Sequence, residues 1–386
     1  MPVFALLFVW CPLLGIGTYA LWLTRQEETS LGRLWVLAAM LSLYLGFLGA
    51  TKELLGDFLT YNQYFMEVPR HTFPSYLAMF GKEPLFYGFT YVAYWLFLGN
   101  WKLYVILLTT MNYLLLSYAV LRVGLRLKAS IDNVVLALFF MTFFFQEFAA
   151  IGNMLRQGLA QSVTLAFLVR WHVDGKRSWW LALCALGIHT SCLPVLGIGL
   201  LPVIHRKLTP LLMTRLSLIV IGLGVCFFFM EDYLAHLPFI GYIFDRAGEG
   251  SKLLGADAWQ TEVGLQPPMI ALMALQAMMI FSIYRREEGT EFFVFANLTL
   301  ILLLMMVVCE VFGMYYLQMR YFFYLYAFQN VLFLCWLHGC SLLKGEVSKQ
   351  LLALCLMVYF FYELSHGMFR YVSVMEAIVY PLPMYI

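Results

Sequence analysis

The sequence predicts an all-α polytopic membrane protein. Three observations carry that prediction: 63% of the 386 residues are hydrophobic, only 12% are charged, and the apolar residues fall in runs of spanning length. Mean hydropathy is +0.81, too apolar for a soluble globular chain. The longest polar interval, residues 231–266, is too short for an attached soluble catalytic domain, so any chemistry sits among helices and short loops. A formal charge of +2 gives no reason to expect a nucleic-acid partner.

At about 20 apolar residues per crossing, spans are expected at 3–23, 34–55, 101–121, 131–150, 155–172, 178–204, 211–230, 267–284, 292–316, 320–341 and 350–369. The first apolar run has no basic n-region and continues to spanning length, so it reads as a signal anchor or first span. Basic clusters mark the cytoplasmic ends: Arg25 and Arg33; Arg122, Arg126 and Lys128; Arg170, Lys176 and Arg177; Arg206, Lys207 and Arg215; Arg285 and Arg286; Lys344 and Lys349.

Two segments must then behave unusually. Residues 57–100 form an external loop in which Pro84 to Leu98 is an amphipathic or re-entrant helix rich in Tyr, Phe and Trp. Residues 178–204 begin and end in cytoplasmic charge, which implies a re-entrant hairpin of two half-helices with Ile188-His189-Thr190-Ser191 at its tip. An ordinary crossing there would invert everything after it. The hairpin topology gives a single membrane domain over 1–386 with both termini external, a further external loop at 231–266, and a functional cavity opening to the external side. There Arg156 and Arg320 join Glu83, Asp57, Glu147, His189 and Glu310.

Metal and haem chemistry lack a sequence basis. The eight cysteines fall almost entirely in apolar runs without CxxC spacing and read as small buried hydrophobes, and the seven histidines show no HxxxH or HExxH pairing. No cofactor is expected.

Four constellations carry polar chemistry instead. Asn153, Arg156 and Gln157 fall at i, i+3 and i+4, one face of a continuous helix and a plausible anion clamp, since a central intramembrane Arg faces a cavity, a partner or a substrate by default. Its bland alternative is an arginine snorkelling to the interface. Asp57, Tyr61 and Tyr64 share a face if residues 57–64 are helical; aromatic planes beside a carboxylate suit a sugar, although an interfacial aromatic belt has the same composition. Glu83 precedes Pro84, where a carboxylate can simply cap a helix, and acts chemically only if it turns inward. Arg320 follows Gln318 at the start of a late span, much as Arg156 opens an earlier one, and two arginines can hold a diphosphate bidentately.

Taken in order, the Asp57-x3-Tyr61 element, Glu83-Pro84-Leu85-Phe86, Leu155-Arg156-Gln157-Gly158-Leu159-Ala160, His189-Thr190-Ser191, Arg320-Tyr321-Phe322 and Tyr380-Pro381 resemble the EpsG family of Wzy-type exopolysaccharide and O-antigen repeat-unit polymerases. Many members show Gly-x-Asp before the tyrosines, whereas Gly56 and Asp57 are adjacent in this chain. The resemblance implies a multi-pass enzyme of the bacterial inner membrane with a GT-C-like helical bundle and an active site facing the periplasm. It would join oligosaccharide repeat units carried on undecaprenyl diphosphate. A flippase and a chain-length regulator are the implied partners.

The leaving group then sets the chemistry. A diphosphate needs its developing charge held more than it needs a proton, a task for Arg156 and Arg320 with Gln157 and Asn153 beside them, so metal independence is expected. The acceptor hydroxyl needs a base, for which Glu83, Asp57 and His189 are candidates in that order. An O-antigen-type ligase, with the same donor and another acceptor, and a lipid-linked oligosaccharide transporter are the alternatives.

Overall fold

The computed structural model describes residues 2–26, 29–80, 83–209, 212, 214–215, 218–219, 221–222, 267–286, 291–311, 315–340, 345–367 and 370–385. Every regular element among them is helical. The chain divides into two compact units, Met1–Gly197 with Phe333–Ile386, and Ile198–Leu332.

The first unit corrects the span expected at 3–23. That stretch is two helices, α1 (Pro2–Trp10) and α2 (Pro12–Thr24), folded back on one another at Cys11. Pro12 sits at the start of α2, where its missing N–H costs nothing. The Phe4 ring meets Tyr19 at 5.2 Å and Trp22 at 5.7 Å, contacts a straight helix could not make.

Next, α3 (Leu31–Gly49) lies against the long α7 (Trp101–Leu127). Gly46 permits that approach, since a Cβ there would lie 2.2 Å from Thr110 Oγ1 and 2.9 Å from the Ile106 carbonyl oxygen. Between them run α4 (Gly56–Glu67), α5 (Phe73–Phe80) and α6 (Pro84–Leu96), held by ring packing rather than by long apolar stripes. Phe65 stacks on Tyr104 at 4.9 Å, and Phe80 stacks on Tyr87 at 3.8 Å.

Then α8 (Ile131–Thr142) and α9 (Phe145–Asn153) form a pair bent by 49°. They are followed by α10 (Leu155–His172), α11 (Trp179–Ile188) and α12 (Cys192–Gly199). The break between α11 and α12 falls on His189, Thr190 and Ser191.

The second unit contains α13 (Pro267–Tyr284), α14 (Glu291–Val311) and most of α15 (Tyr315–His338). Buried amides tie it: Gln276 donates to the Leu325 carbonyl at 3.0 Å, and Asn297 donates to the carbonyls of Ile204 and Arg206 at 2.8 Å each. Back in the first unit, α16 (Glu346–His366) leads to the short α17 (Val374–Val379), whose Ser373 and Glu376 form a capping box. This terminal segment closes on α3. Glu53 N–H donates to the Arg370 carbonyl at 3.0 Å, and the Tyr44 hydroxyl donates to the Ala377 carbonyl at 3.1 Å.

Five helices are long and apolar enough to cross a membrane: Leu31–Gly49, Trp101–Leu127, Pro267–Tyr284, Phe293–Val311 and Glu346–His366; counting the bent pair as one span makes six among the described residues. The protein is a multi-pass membrane protein. Of the other stretches read as spans, 3–23 is interrupted and 155–172 is a continuous helix with Arg156, Gln157 and Gln161 in its first two turns; 178–204, read as two half-helices, breaks at residues 189–191. The reading of 211–230 lies mostly, and that of 231–266 wholly, outside the described residues.

Gly46→Ala is expected to overpack the α3–α7 contact, at a cost of about 1–3 kcal/mol, and to lower the thermal midpoint in detergent. Gly32→Ala, whose Cβ would meet only Ser30 Oγ at 3.9 Å, should leave the midpoint unchanged or slightly raised.

Candidate functional site

The starts of α6 and α10, the break between α11 and α12 and one face of α4 meet around the ion pair of Arg156 and Glu83. Met154, at φ −116° and ψ 66°, ends α9 and restarts the chain as α10, which delivers Arg156 in the first turn of the new helix. Glu83 precedes Pro84 at the start of α6 and has φ 109°, a left-handed conformation that costs a residue with a Cβ about 1–3 kcal/mol. Its side chain makes no capping bond to α6. The carboxylate turns inward instead: Oε2 accepts from Arg156 Nη1, and Oε1 lies 3.6 Å from His189 Nε2. Glu83 therefore meets the condition that separates a chemical role from a cap.

Two phenols complete the cage. Arg156 Nη1 donates to the Tyr87 hydroxyl at 2.9 Å, and its Nε donates to the Tyr61 hydroxyl at 3.2 Å. Both rings also lie beside the cation, with the guanidinium carbon 5.4 Å from the Tyr61 centroid and 5.6 Å from that of Tyr87. The remaining nitrogen, Nη2, has no hydrogen-bond partner among the described residues, and the Arg156 side chain keeps 26% exposure against 7% for Glu83 and 8% for His189. The cluster thus presents one open guanidinium edge above a buried carboxylate. His189 is oriented by its own loop: Nδ1 accepts from the Ser191 N–H at 3.1 Å, so in the neutral ring the proton sits on Nε2, facing Glu83.

The three-residue clamp expected from Asn153, Arg156 and Gln157 does not form. The break at Met154 puts Asn153 at the end of α9, so the i, i+3, i+4 relation is lost. Asn153 Oδ1 accepts instead from Lys52 Nζ at 3.2 Å, while Gln157 is buried within the bundle. Asp57 is exposed in the first turn of α4 and acts electrostatically on Lys52. One turn on, Tyr61 reaches Arg156, and Tyr64 packs on Phe80 at 4.7 Å. Arg320 lies in the second unit, in the second turn of α15. There its neighbour Gln318 donates to Glu310 Oε2 at 2.7 Å and to the Met306 carbonyl at 3.1 Å.

Lys52 is a buried charge that the sequence analysis does not single out. The helix stops at Gly49, so Lys52 lies beyond it, 5% exposed, with Nζ 5.1 Å from the Phe58 ring centroid. Burial lowers its pKa to about 7, and the carboxylate of Asp57 opposes that shift. The available signal was local: a lysine in Thr51-Lys52-Glu53 between a span and the Gly56-Asp57 turn has little chain with which to reach water.

The chain belongs to the EpsG family, whose model matches residues 33–381 and so covers every residue of this cluster. No curated protein and no solved structure matches it.

The folded pKa of Lys52 lies below its ordinary value of 10.5, so the cost of burying the ammonium is absent above about pH 10.5, grows as pH falls, and is complete near about 7. Lys52→Met removes that cost. Its unfolding free energy relative to wild type is expected to rise as pH is lowered through this window, by up to roughly 1.4 kcal/mol per pH unit. Denaturation curves at stepped pH check this; a difference independent of pH would contradict it.

Proposed function

We propose that this member of the EpsG family is a polysaccharide polymerase which joins oligosaccharide repeat units carried on undecaprenyl diphosphate, at the external face of the bacterial inner membrane. The family supports the polymerase class. The observation that carries the chemistry is the half-open guanidinium of Arg156 beside the buried, inward-turned Glu83.

Arg156 binds the donor through Nη2, where a diphosphate oxygen completes the set of donors that Tyr61, Tyr87 and Glu83 leave unused. The incoming anion competes with Glu83 for the cation and so frees the carboxylate at the moment a base is required. The acceptor hydroxyl oxygen then attacks the anomeric carbon. The bond from that carbon to the diphosphate breaks, its electron pair leaves on the diphosphate oxygen facing Arg156, and the hydroxyl proton passes to Glu83. His189 Nε2–H steadies Glu83 during this exchange. Glu83 is favoured over Asp57 as base because it is buried, coupled to a histidine and adjacent to the cation, whereas Asp57 is exposed. Tyr64, half-buried at the edge of this cluster, offers a ring to a sugar, whereas Tyr61, Phe86 and Tyr87 are buried in the packing that positions it. A flippase and a chain-length regulator are the partners the reaction calls for.

Purified protein given a lipid-diphosphate repeat unit is expected to yield a ladder of products. Arg156→Ala should lower the rate roughly 100- to 1,000-fold, the range for removing a donor aimed at developing charge. Arg156→Lys should recover little, because an ammonium cannot serve two phenols, a carboxylate and a phosphate in one plane. Glu83→Gln should reduce turnover with a smaller change in KM. Transfer of a single unit to a different acceptor would indicate a ligase, and movement of intact donor without transfer a transporter. A full ladder from Arg156→Ala would remove Arg156 from the site. With Arg156 supplying the charge, growth is expected to persist in EDTA.

A further inference from the structure

At the opposite end of the bent α8–α9 pair from Asn153 lies a cavity of about 210 Å³ between α2, α8 and α16, all within the first unit. Each helix contributes one stripe at helical spacing. Gly17, Ala20 and Thr24 come from α2, Asp132, Val135 and Phe139 from α8, and Glu346, Lys349, Ala353 and Met357 from α16. The polar members all fall at one end. Thr24 closes α2, Asp132 lies in the first turn of α8, and Glu346, Lys349 and Gln350 open α16. Beyond them the lining is entirely apolar or glycine. Leu21 and Leu354 on its walls are 47% and 56% exposed, so the groove opens sideways rather than into the bundle.

We propose that this groove binds one zwitterionic phospholipid carrying a primary ammonium, in the leaflet remote from Arg156. The polar end holds both signs of charge. Lys349 Nζ lies 3.7 Å from Asp132 Oδ2, and Glu346 Oε1 accepts from Gln350 Nε2 at 3.1 Å. Lys349 matches a lipid phosphate, while Asp132 and Glu346 match an ammonium, a pairing that neither an anionic nor a quaternary head group satisfies as fully. The apolar part fits an acyl chain. From Glu346 to Met357 the stripe runs about 16 Å at 1.5 Å per residue, close to one leaflet of a roughly 30 Å hydrocarbon core. The donor of the proposed reaction is a poor occupant, because its diphosphate would be at the wrong end of the helices to meet Arg156. Gly17 keeps the groove open, since a Cβ there would meet nothing within 4 Å.

Native mass spectrometry of the detergent-purified full chain, titrated separately with phosphatidylethanolamine, phosphatidylcholine, phosphatidylglycerol and a polyprenyl phosphate, tests the site. One retained phosphatidylethanolamine, bound more tightly than the other three, is expected. Gly17→Leu projects into open space and should keep the wild-type thermal midpoint while weakening that binding roughly tenfold, the effect of losing about two buried methylenes. Lys349→Gln should erase the head-group preference and leave chain binding. Equal retention of all four lipids, tighter binding of the polyprenyl phosphate, or unchanged binding in Gly17→Leu would overturn the proposal. Catalytic turnover by Gly17→Leu in detergent should match wild type, so failure here is separable from failure of the polymerase reading.

Discussion

The ion pair between Arg156 and Glu83 is the constraint around which the first unit is arranged. Glu83 is almost wholly buried and Arg156 is three-quarters buried, so each charge leans on the other, and removing one would leave its partner less well compensated. The pair also joins parts of the chain that are 73 residues apart. It fixes where α10 begins relative to α6, and it accounts for a glutamate at φ 109° in a place where a glycine would be unstrained. The strain persists because Pro84 commits the following helix while the carboxylate is drawn away from it. A cap would have been the easier local arrangement, and the structure forgoes it.

Helix breaks, rather than helices, build the site. Arg156 follows the break at Met154, His189 occupies the break between α11 and α12, and Glu83 stands at the start of α6. In a bilayer an interrupted helix leaves backbone groups without partners, which is tolerated where protein or polar ligands surround it. Here the freed groups are put to use: the Ser191 N–H, no longer part of a helix ladder, sets the His189 tautomer. Polar side chains at such ends can converge from several directions, as residues on one helical face cannot.

That difference explains what was legible in the sequence. Class and most helices follow from composition and apolar run length, which depend on local information alone. Glu83, Arg156 and His189 were recognisable as unusual because charge and imidazole are costly among apolar runs, and the three are brought together. The geometry of the Arg156 clamp was not legible. Periodicity assumes a continuous helix, and Gly152-Asn153-Met154-Leu155 contains no proline; Gly152 and Asn153, ordinary helix-end residues, were the local signal that the apolar run on both sides overrode. The fold-back at Cys11 was missed for the converse reason: Pro12 is a strong signal, but the apolar run continues across it. Lys52 was only faintly marked by its local sequence, because its burial rests on Asn153, 101 residues away, and on Phe58 across the Gly56 turn.

The same economy of charge bears on how the proposed reaction would begin. A resting site with a bare arginine would pay a large desolvation cost, whereas one in which a carboxylate neutralises it is stable but occupied. Leaving Nη2 open resolves the conflict, since an anion can engage the free edge before it displaces anything. Glu83 then need not leave its pocket to become available; it only loses its share of the guanidinium, while His189 Nε2 remains within 3.6 Å to receive it. Binding of the donor and exposure of the base become one event. An acceptor arriving first would meet a carboxylate still committed to Arg156, so the arrangement favours activation only when the leaving group is already held.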